Sequence, residues 1–421
     1  MRATYPGRGG RLWLLLPPLI FLGIFYFYPL TRILGVSLTG PDGALLAPLG
    51  RLFSQGYFLG VLGFTFWQAL LSTGLTLAAA LPAAYVFARF DFPAKGLLLG
   101  LTTIPFVLPT VVVAAAFDAL LGPHGVLNGL LMALLNLDRP PIHLQHSLAI
   151  ILLAHLFYNF TVALRIVGGY WAQLPTSMEE AARMLGASPA QVFRKVTLPL
   201  LRPAIFSAAL LIFIFCFSSF GVILILGGPR MATLEVEIYR QTLHLFNLPM
   251  AAVLALVQIV FTFIAMGVYT RLQRRTAVAV APALTAAAPR PEGLRQRLLV
   301  GGIVAAMLLY LGAPLLALVQ RSLMTTTGLA LTYYRQLFDN PDQSFFFVAP
   351  IAAMGNSLLF AGLALVLALV LGMAAALFLA GPRSRLSAII DPLFMLPLST
   401  SAVTLGFGFI IALDRPPLNL R

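Results

Sequence analysis

Apolar residues in this chain fall in long runs, not in the alternation of a half-buried strand or the stripes of a surface helix. Nine runs reach spanning length: Leu12–Leu30, Gly63–Phe87, Leu97–Leu121, Ser147–Gly169, Ala204–Leu226, Pro249–Tyr269, Leu298–Val319, Ser357–Leu379 and Ser387–Leu413. A helix needs about 20 apolar residues to cross a hydrocarbon layer about 30 Å thick, and it satisfies its own backbone there. The pattern therefore predicts an all-α, polytopic membrane protein. The first run follows Arg2, Arg8 and Arg11. Its length, its aromatic end and the lack of an Ala-x-Ala site favour a retained anchor over a cleaved leader.

The longest polar-rich interruption is Ser177–Pro199. Ser177 and Glu180 have capping-box spacing, which predicts a helix start. Glu179 and Glu180 then occupy its first turn, where the helix dipole favours acids. Gly186 reads as a C-terminal stop. Ser188 and Pro189 read as the N-cap and first residue of a second helix. The expectation is two short helices joined at Gly186 on the membrane surface. Ala181 and Ala182 make one side of the first helix small enough for another protein to approach.

Residues 272–297 include the Ala/Pro/Val-rich stretch Thr276–Pro291 and read as a flexible linker. It separates a first repeat, 1–271, with six spans and the 177–199 loop, from a second, 298–421, with three. The punctuating residues repeat. Tyr28-Pro29-Leu30 matches Ala313-Pro314-Leu315, Gly63 and Thr65 match Gly355 and Ser357, and Pro105 matches Pro397. Leu137-Asp138-Arg139-Pro140-Pro141 recurs as Leu413-Asp414-Arg415-Pro416-Pro417. The repeat places a second polar loop and three more spans beyond Arg421, so the second helical-bundle half is expected to be incomplete.

Composition narrows the function. The chain is 60% hydrophobic and 10% charged, with a mean hydropathy of +0.95. Its single cysteine, Cys216, excludes an intrachain disulfide framework and has no activating partner nearby in sequence. A net charge of +14 raises nucleic acid as a partner. The basic residues flank the spans, however, so anionic membrane lipid is the expected partner and nucleic acid is not. With the N-terminus in the cytoplasm, 17 of the 27 basic residues fall on the cytoplasmic side, 9 fall opposite, and Arg165 lies within a span. That bias places the 177–199 loop in the cytoplasm.

No Gly-x-x-x-x-Gly-Lys-Ser/Thr loop is present, and Lys95 and Lys195 are the only lysines. The chain is expected to bind no nucleotide itself. His143 and His146, three apart, are more economically a loop pair than metal ligands, because no third ligand is evident. Polar groups inside spans are Gln68, Asp118, His155, Asn159, Arg165 and Gln258. Asp118 and Arg165 lie near span ends and can reach the interface. His155 and Asn159 share a helix face and, with Gln68, are candidate pore-lining residues. Hydrogen bonding between packed spans is the equal alternative. Pro105 and Pro109 break one span and can open its backbone to a cavity.

Glu180-Ala181-Ala182, then Gly186, then Val196-Thr197-Leu198-Pro199 resembles the Glu-Ala-Ala loop of ABC importer permeases. The resemblance implies an ATPase-coupling loop carried by Glu179, Glu180, Ala181, Ala182, Gly186, Leu198 and Pro199. It implies a multi-pass permease of the bacterial inner membrane and no catalytic residues. Its partners would be a cytoplasmic ABC ATPase dimer, which binds the ATP, and a periplasmic solute-binding protein. Phe66-Trp67-Gln68-Ala69, His155-Leu-Phe-Tyr-Asn159 and Cys216-Phe-Ser-Ser-Phe-Gly221 further resemble the double-length permeases of ferric iron and thiamine importers. Thiamine or ferric iron is then the expected solute. The competing reading is a secondary transporter driven by an ion gradient, which would need acidic or polar coupling groups at the midplane.

Overall fold

A computed structural model describes residues 8–38, 47–278, 288–325, 328–338, 348–380, 386, 390, 393–394 and 396–413. Residues 279–287 of the expected linker and the recurrence at 414–417 lie outside the described residues. Among the described residues the regular structure is helical apart from a short antiparallel pairing of Met324–Thr325 with Gly328–Leu329.

The helices are α1 (Arg8–Leu22), α2 (Tyr28–Leu38), α3 (Ala47–Ser54), α4 (Gly56–Arg89), α5 (Lys95–Leu101), α6 (Ile104–Val107), α7 (Thr110–Leu121), α8 (Val126–Leu135) and α9 (Leu148–Gln173). They continue as α10 (Ser177–Met184), α11 (Pro189–Val192), α12 (Leu198–Phe217), α13 (Leu234–Leu243), α14 (Leu248–Val278), α15 (Gly293–Leu323), α16 (Thr332–Arg335), α17 (Pro350–Leu379) and α18 (Ala402–Ala412). Three single-turn π segments interrupt them at Gly23–Phe27, Phe193–Thr197 and Ile223–Gly227. Each ends one residue before an X-Pro pair: Tyr28-Pro29, Leu198-Pro199 and Gly228-Pro229. Proline has no N–H to donate and its ring crowds the preceding turn, so a turn wider by one residue accommodates it. At two of these places the bond is seen directly, Tyr28 N–H to Gly23 O and Leu198 N–H to Phe193 O.

Eight helical segments among the described residues are long and apolar enough to cross a membrane. Three of the nine expected spans differ. Leu97–Leu121 is not one helix: the chain turns at Thr102–Thr103, breaks at Leu108–Pro109 and restarts at Thr110. The residue before a proline avoids the helical region, and Leu108 is accordingly extended, with ψ 138°. The qualifying segment here is Thr110–Leu135. Within Ser387–Leu413 the longest described helix is α18, too short to count as a span. The fifth span also ends early, because α12 stops at Phe217 and Ser218–Ser219 carry the chain on to the π segment.

The helices form two compact units, residues 49–318 and residues 1–48 with 319–421. In the first unit, α4 and α9 lie along one another and α12 packs on both, with α14 and α13 completing the bundle. Ala80, Ala83 and Ala84 are buried on α4, and Gly168 of α9 approaches the Ala84 backbone. Small residues allow that close packing where lipid supplies no hydrophobic drive. The N-terminal part of α15 belongs to this unit. Val300 packs with Val86 and Phe90, Tyr310 donates to Leu153 O at 2.6 Å, and Asp91 N–H donates to Pro289 O at 3.0 Å. In the other unit, α1 packs on α17 and α2 on α18. Gly408 of α18 faces Pro29, where a Cβ would come within 3.0 Å, and Tyr26 Oη bonds Thr400 Oγ1 at 2.7 Å. The packing units thus divide the chain differently from the sequence repeat. The first span of each repeat packs with helices of the other.

Candidate functional site

The 177–199 loop connects α9 to α12 without a flexible joint. Leu174 and Pro175 turn the chain out of α9, and α10 begins at Ser177. The expected capping box at Ser177–Glu180 does not form. Thr176 is the N-cap, in helical conformation, with no side-chain bond. A helical N-cap points its side chain away from the first-turn N–H groups, so Ser177 is already inside the helix. The box forms instead at the next helix. Ser188 Oγ accepts from Gln191 N–H at 3.4 Å, and Gln191 Oε1 accepts from Ser188 N–H at 2.8 Å.

Gly186 ends α10 at φ +83°. Ala187 N–H donates to Ala182 O at 3.1 Å and Gly186 N–H to Arg183 O at 2.9 Å, the paired bonds of a Schellman stop. A side chain at φ +83° would cost about 1–2 kcal/mol, which is why glycine stands here. Just before this stop, Met184 and Leu185 are 88% and 89% exposed. Ala181 is exposed and Ala182 half-buried beside them.

The two acids divide their work. Glu179 is largely buried and accepts from the Arg89 guanidinium at the end of α4 and from Thr197 Oγ1 at 2.8 Å. It therefore ties α10 to α4 and to the π segment that enters α12. The Glu180 side chain is exposed and makes no bond among the described residues. Leu198 and Pro199 begin α12, half-buried, directly after the π turn. Trp171, buried at the end of α9, stacks with Tyr85 and Phe193 at centroid distances of 5.4 and 6.3 Å and holds the loop's base.

The other candidates meet deeper in the same unit. Gln68, His155 and Asn159 are all buried, where α4, α9 and α12 adjoin. His155 bridges two hydroxyls, Ser72 Oγ at Nδ1 and Ser219 Oγ at Nε2, both at 2.8 Å. A neutral imidazole has one N–H, so one hydroxyl donates and the other accepts. Asn159 Nδ2 donates to His155 O at 2.9 Å and to Cys216 Sγ at 3.5 Å. Gln68 Nε2 donates to Cys216 O at 2.9 Å and Thr65 O at 3.1 Å. All three side chains thus bond to atoms of the bundle itself. Arg165 is exposed and reaches the broken span, donating to Leu99 O at 3.0 Å and Thr103 Oγ1 at 2.7 Å.

Several functional-looking groups escaped the sequence pattern. Arg89 and Thr197 hold Glu179 across 90 and 18 residues, and nothing local announces those pairs. Glu235 and Glu237, both buried on α13, were also missed. Gln258 donates to Glu235, while Tyr57 Oη and Gln241 Nε2 each donate to Glu237 at 2.7 Å. Two acids within an otherwise apolar Leu234–Ile238 were the available signal, since buried carboxylates occur only where donors await them.

Comparison with known proteins places residues 76–278 in the family described as "binding-protein-dependent transport system inner membrane component". A putative 2-aminoethylphosphonate transport system permease protein of Salmonella choleraesuis is 30% identical over 270 residues, covering 63% of this chain and 93% of that protein. A thiamine transport system permease protein of Salmonella typhimurium is 32% identical over 310 residues, 72% of this chain. The match spans 56% of that relative's length. The fold is shared with a chain of a bacterial alginate ABC transporter, solved with an alginate-bound periplasmic protein. The TM-score is 0.53 at 19% identity, covering 65% of this chain and 97% of that one.

Proposed function

Because the chain belongs to the binding-protein-dependent transport system inner membrane components, we propose that its 177–199 loop is the element through which a partner ATPase drives it. The chain is the permease subunit of an ABC importer and performs no reaction itself. One observation carries the proposal about the loop. Met184 and Leu185 stand almost fully exposed on a stop that only glycine adopts easily, while Glu179 anchors the same helix from behind. An exposed apolar knob on a rigid base suits insertion into a cleft of another protein.

The mechanism follows from the joints. In this reading the loop faces the cytoplasm, and ATP bound by two ATPase subunits draws those subunits together and carries the loop with them. The loop runs into α9 at one end and, through the π segment, into α12 at the other. Displacement of the loop therefore moves α9 against α12. Deeper in, Asn159 of α9 bonds Cys216 of α12, and His155 of α9 bonds Ser219 just beyond the end of α12. Alternating access would come from biasing that pair between two arrangements. The solute would arrive from a periplasmic binding protein, and membrane lipid would cover the apolar flanks.

Thiamine is the solute this reading favours, since a thiamine permease matches over 72% of the chain. 2-Aminoethylphosphonate and ferric iron are its competitors. The test is co-expression of the full chain with candidate ATPase and solute-binding-protein partners, followed by affinity purification and radiolabelled uptake. Recovery of an ATPase that is lost in Met184→Ser/Leu185→Ser is expected. Retention of the ATPase by that variant would remove the loop from the interface. Uptake of one of the competing solutes in place of thiamine would reassign the substrate.

A further inference from the structure

A cavity of about 310 Å³ opens beside α7, on the end of the unit opposite the 177–199 loop. Ala114, Ala115 and Asp118 of α7 form one wall, Gln145 and His146 the rim, and Ile225 of the third π segment the far side. Its lining is apolar except for this rim and the carboxylate, and among the described residues no lysine or arginine is part of it. We propose that this cavity is a binding site for an organic cation, with Asp118 as the counter-ion that selects it; the proposal rests on the reading of the chain as a solute permease.

Two features point this way, the place of the carboxylate and the way it is held. The first is where the carboxylate lies. Asp118 is in the last turn of α7, inside the segment Thr110–Leu135 counted as membrane-spanning, and an aspartate turned to lipid there costs up to about 2.5–3.5 kcal/mol, the value at a helix centre. Val111 and Ala115 are exposed, and their spacing from Asp118 puts all three on one helix face. A face carrying that charge belongs against water or protein, not acyl chains.

The carboxylate is also held in place. Gln145 Nε2 donates to Asp118 Oδ1 at 2.7 Å. A Cβ on Gly122 would come within 2.5 Å of that same oxygen, so glycine is required where the side chain folds back over the helix end. On the rim, His146 adopts φ +55° and its ring lies where a Cβ on Gly228, itself at φ +71°, would come within 2.7 Å. A fixed carboxylate over an apolar wall matches a ligand with a delocalised or alkylated cationic head and an apolar body. It mismatches an anion or a neutral isostere.

The test is site-directed thiol labelling of the full chain in lipid nanodiscs. The native Cys216 is buried, so an Ala115→Cys variant reports the cavity alone. A membrane-impermeant maleimide should label it, and thiamine or tetraethylammonium should slow the labelling, whereas uncharged thiochrome should not. Adding Asp118→Asn should leave labelling intact and raise the protecting cation concentration about tenfold or more, the loss of one charge-assisted contact. Asp118→Glu should retain protection. Three outcomes overturn the proposal: no labelling of a monodisperse protein, equal protection by thiochrome, or protection unchanged in Asp118→Asn. Protection by tetraethylammonium but not thiamine would support the site while removing thiamine as the solute. Recovery of the ATPase tests the permease reading separately.

Discussion

The 177–199 loop and the polar core around His155 are joined by α9 and α12, yet they are built in opposite ways. The loop's shape comes from bonds between near neighbours: Ser188 with Gln191, Gly186 with Arg183, Ala187 with Ala182. The core's bonds join residues 64, 83 and 148 positions apart. A loop shaped mostly by near neighbours can move as a body with only its Arg89–Glu179 tie to α4 disturbed. A core closed at long range cannot shift one helix without breaking or exchanging bonds to another. That contrast is what the proposed reading asks of the loop as transmitter and of the core as a two-state gate.

The largest effect is expected where the loop has no alternative conformation. Gly186→Val should abolish uptake and ATPase recovery. Strain of about 1–2 kcal/mol would be confined to the loop, so the melting temperature of the purified chain should move little. A large fall in melting temperature would break the comparison, because it would make the loop part of the cooperative core.

His155→Leu should do the reverse. It leaves two buried hydroxyls without their bridge and should cost about 1–3 kcal/mol of stability, read by thermal unfolding in detergent, while ATPase recovery survives. Smaller again is the tie between the two regions. A double-mutant cycle of Arg89→Ala and Glu179→Ala should give a coupling of about 1 kcal/mol, together with faster hydrogen exchange in α10 than in α9. Smallest is Ser188→Ala, which removes the capping box on an exposed short helix and should cost about 0.5 kcal/mol, visible only as faster exchange at Gln191.

The same contrast explains what could be read from the residues alone. Ser188, Pro189 and Gly186 carry their structure with them, since a cap, a fixed φ and a left-handed turn depend on atoms a few residues away. Ser177 misled for the same reason in reverse. Its spacing to Glu180 was correct, but the chain leaving Leu174–Pro175 arrives already helical at Thr176, and spacing alone cannot report the incoming direction. Pro105 and Pro109 were visible as breaks. That Arg165 would meet the freed Leu99 carbonyl was not, because the two lie 66 residues apart.

By itself the sequence determined that the chain is helical, that it crosses a membrane many times and that one polar loop stands apart. Those properties follow from desolvation of the backbone in lipid and from local chain geometry, which neighbouring residues dictate. Tertiary structure alone decided which acid of the Glu179–Glu180 pair is anchored. It also placed His155 between two hydroxyls and packed the first span of each repeat with helices of the other. These are choices among distant partners. A buried polar group must be satisfied by something, but only the packing of helices says by what.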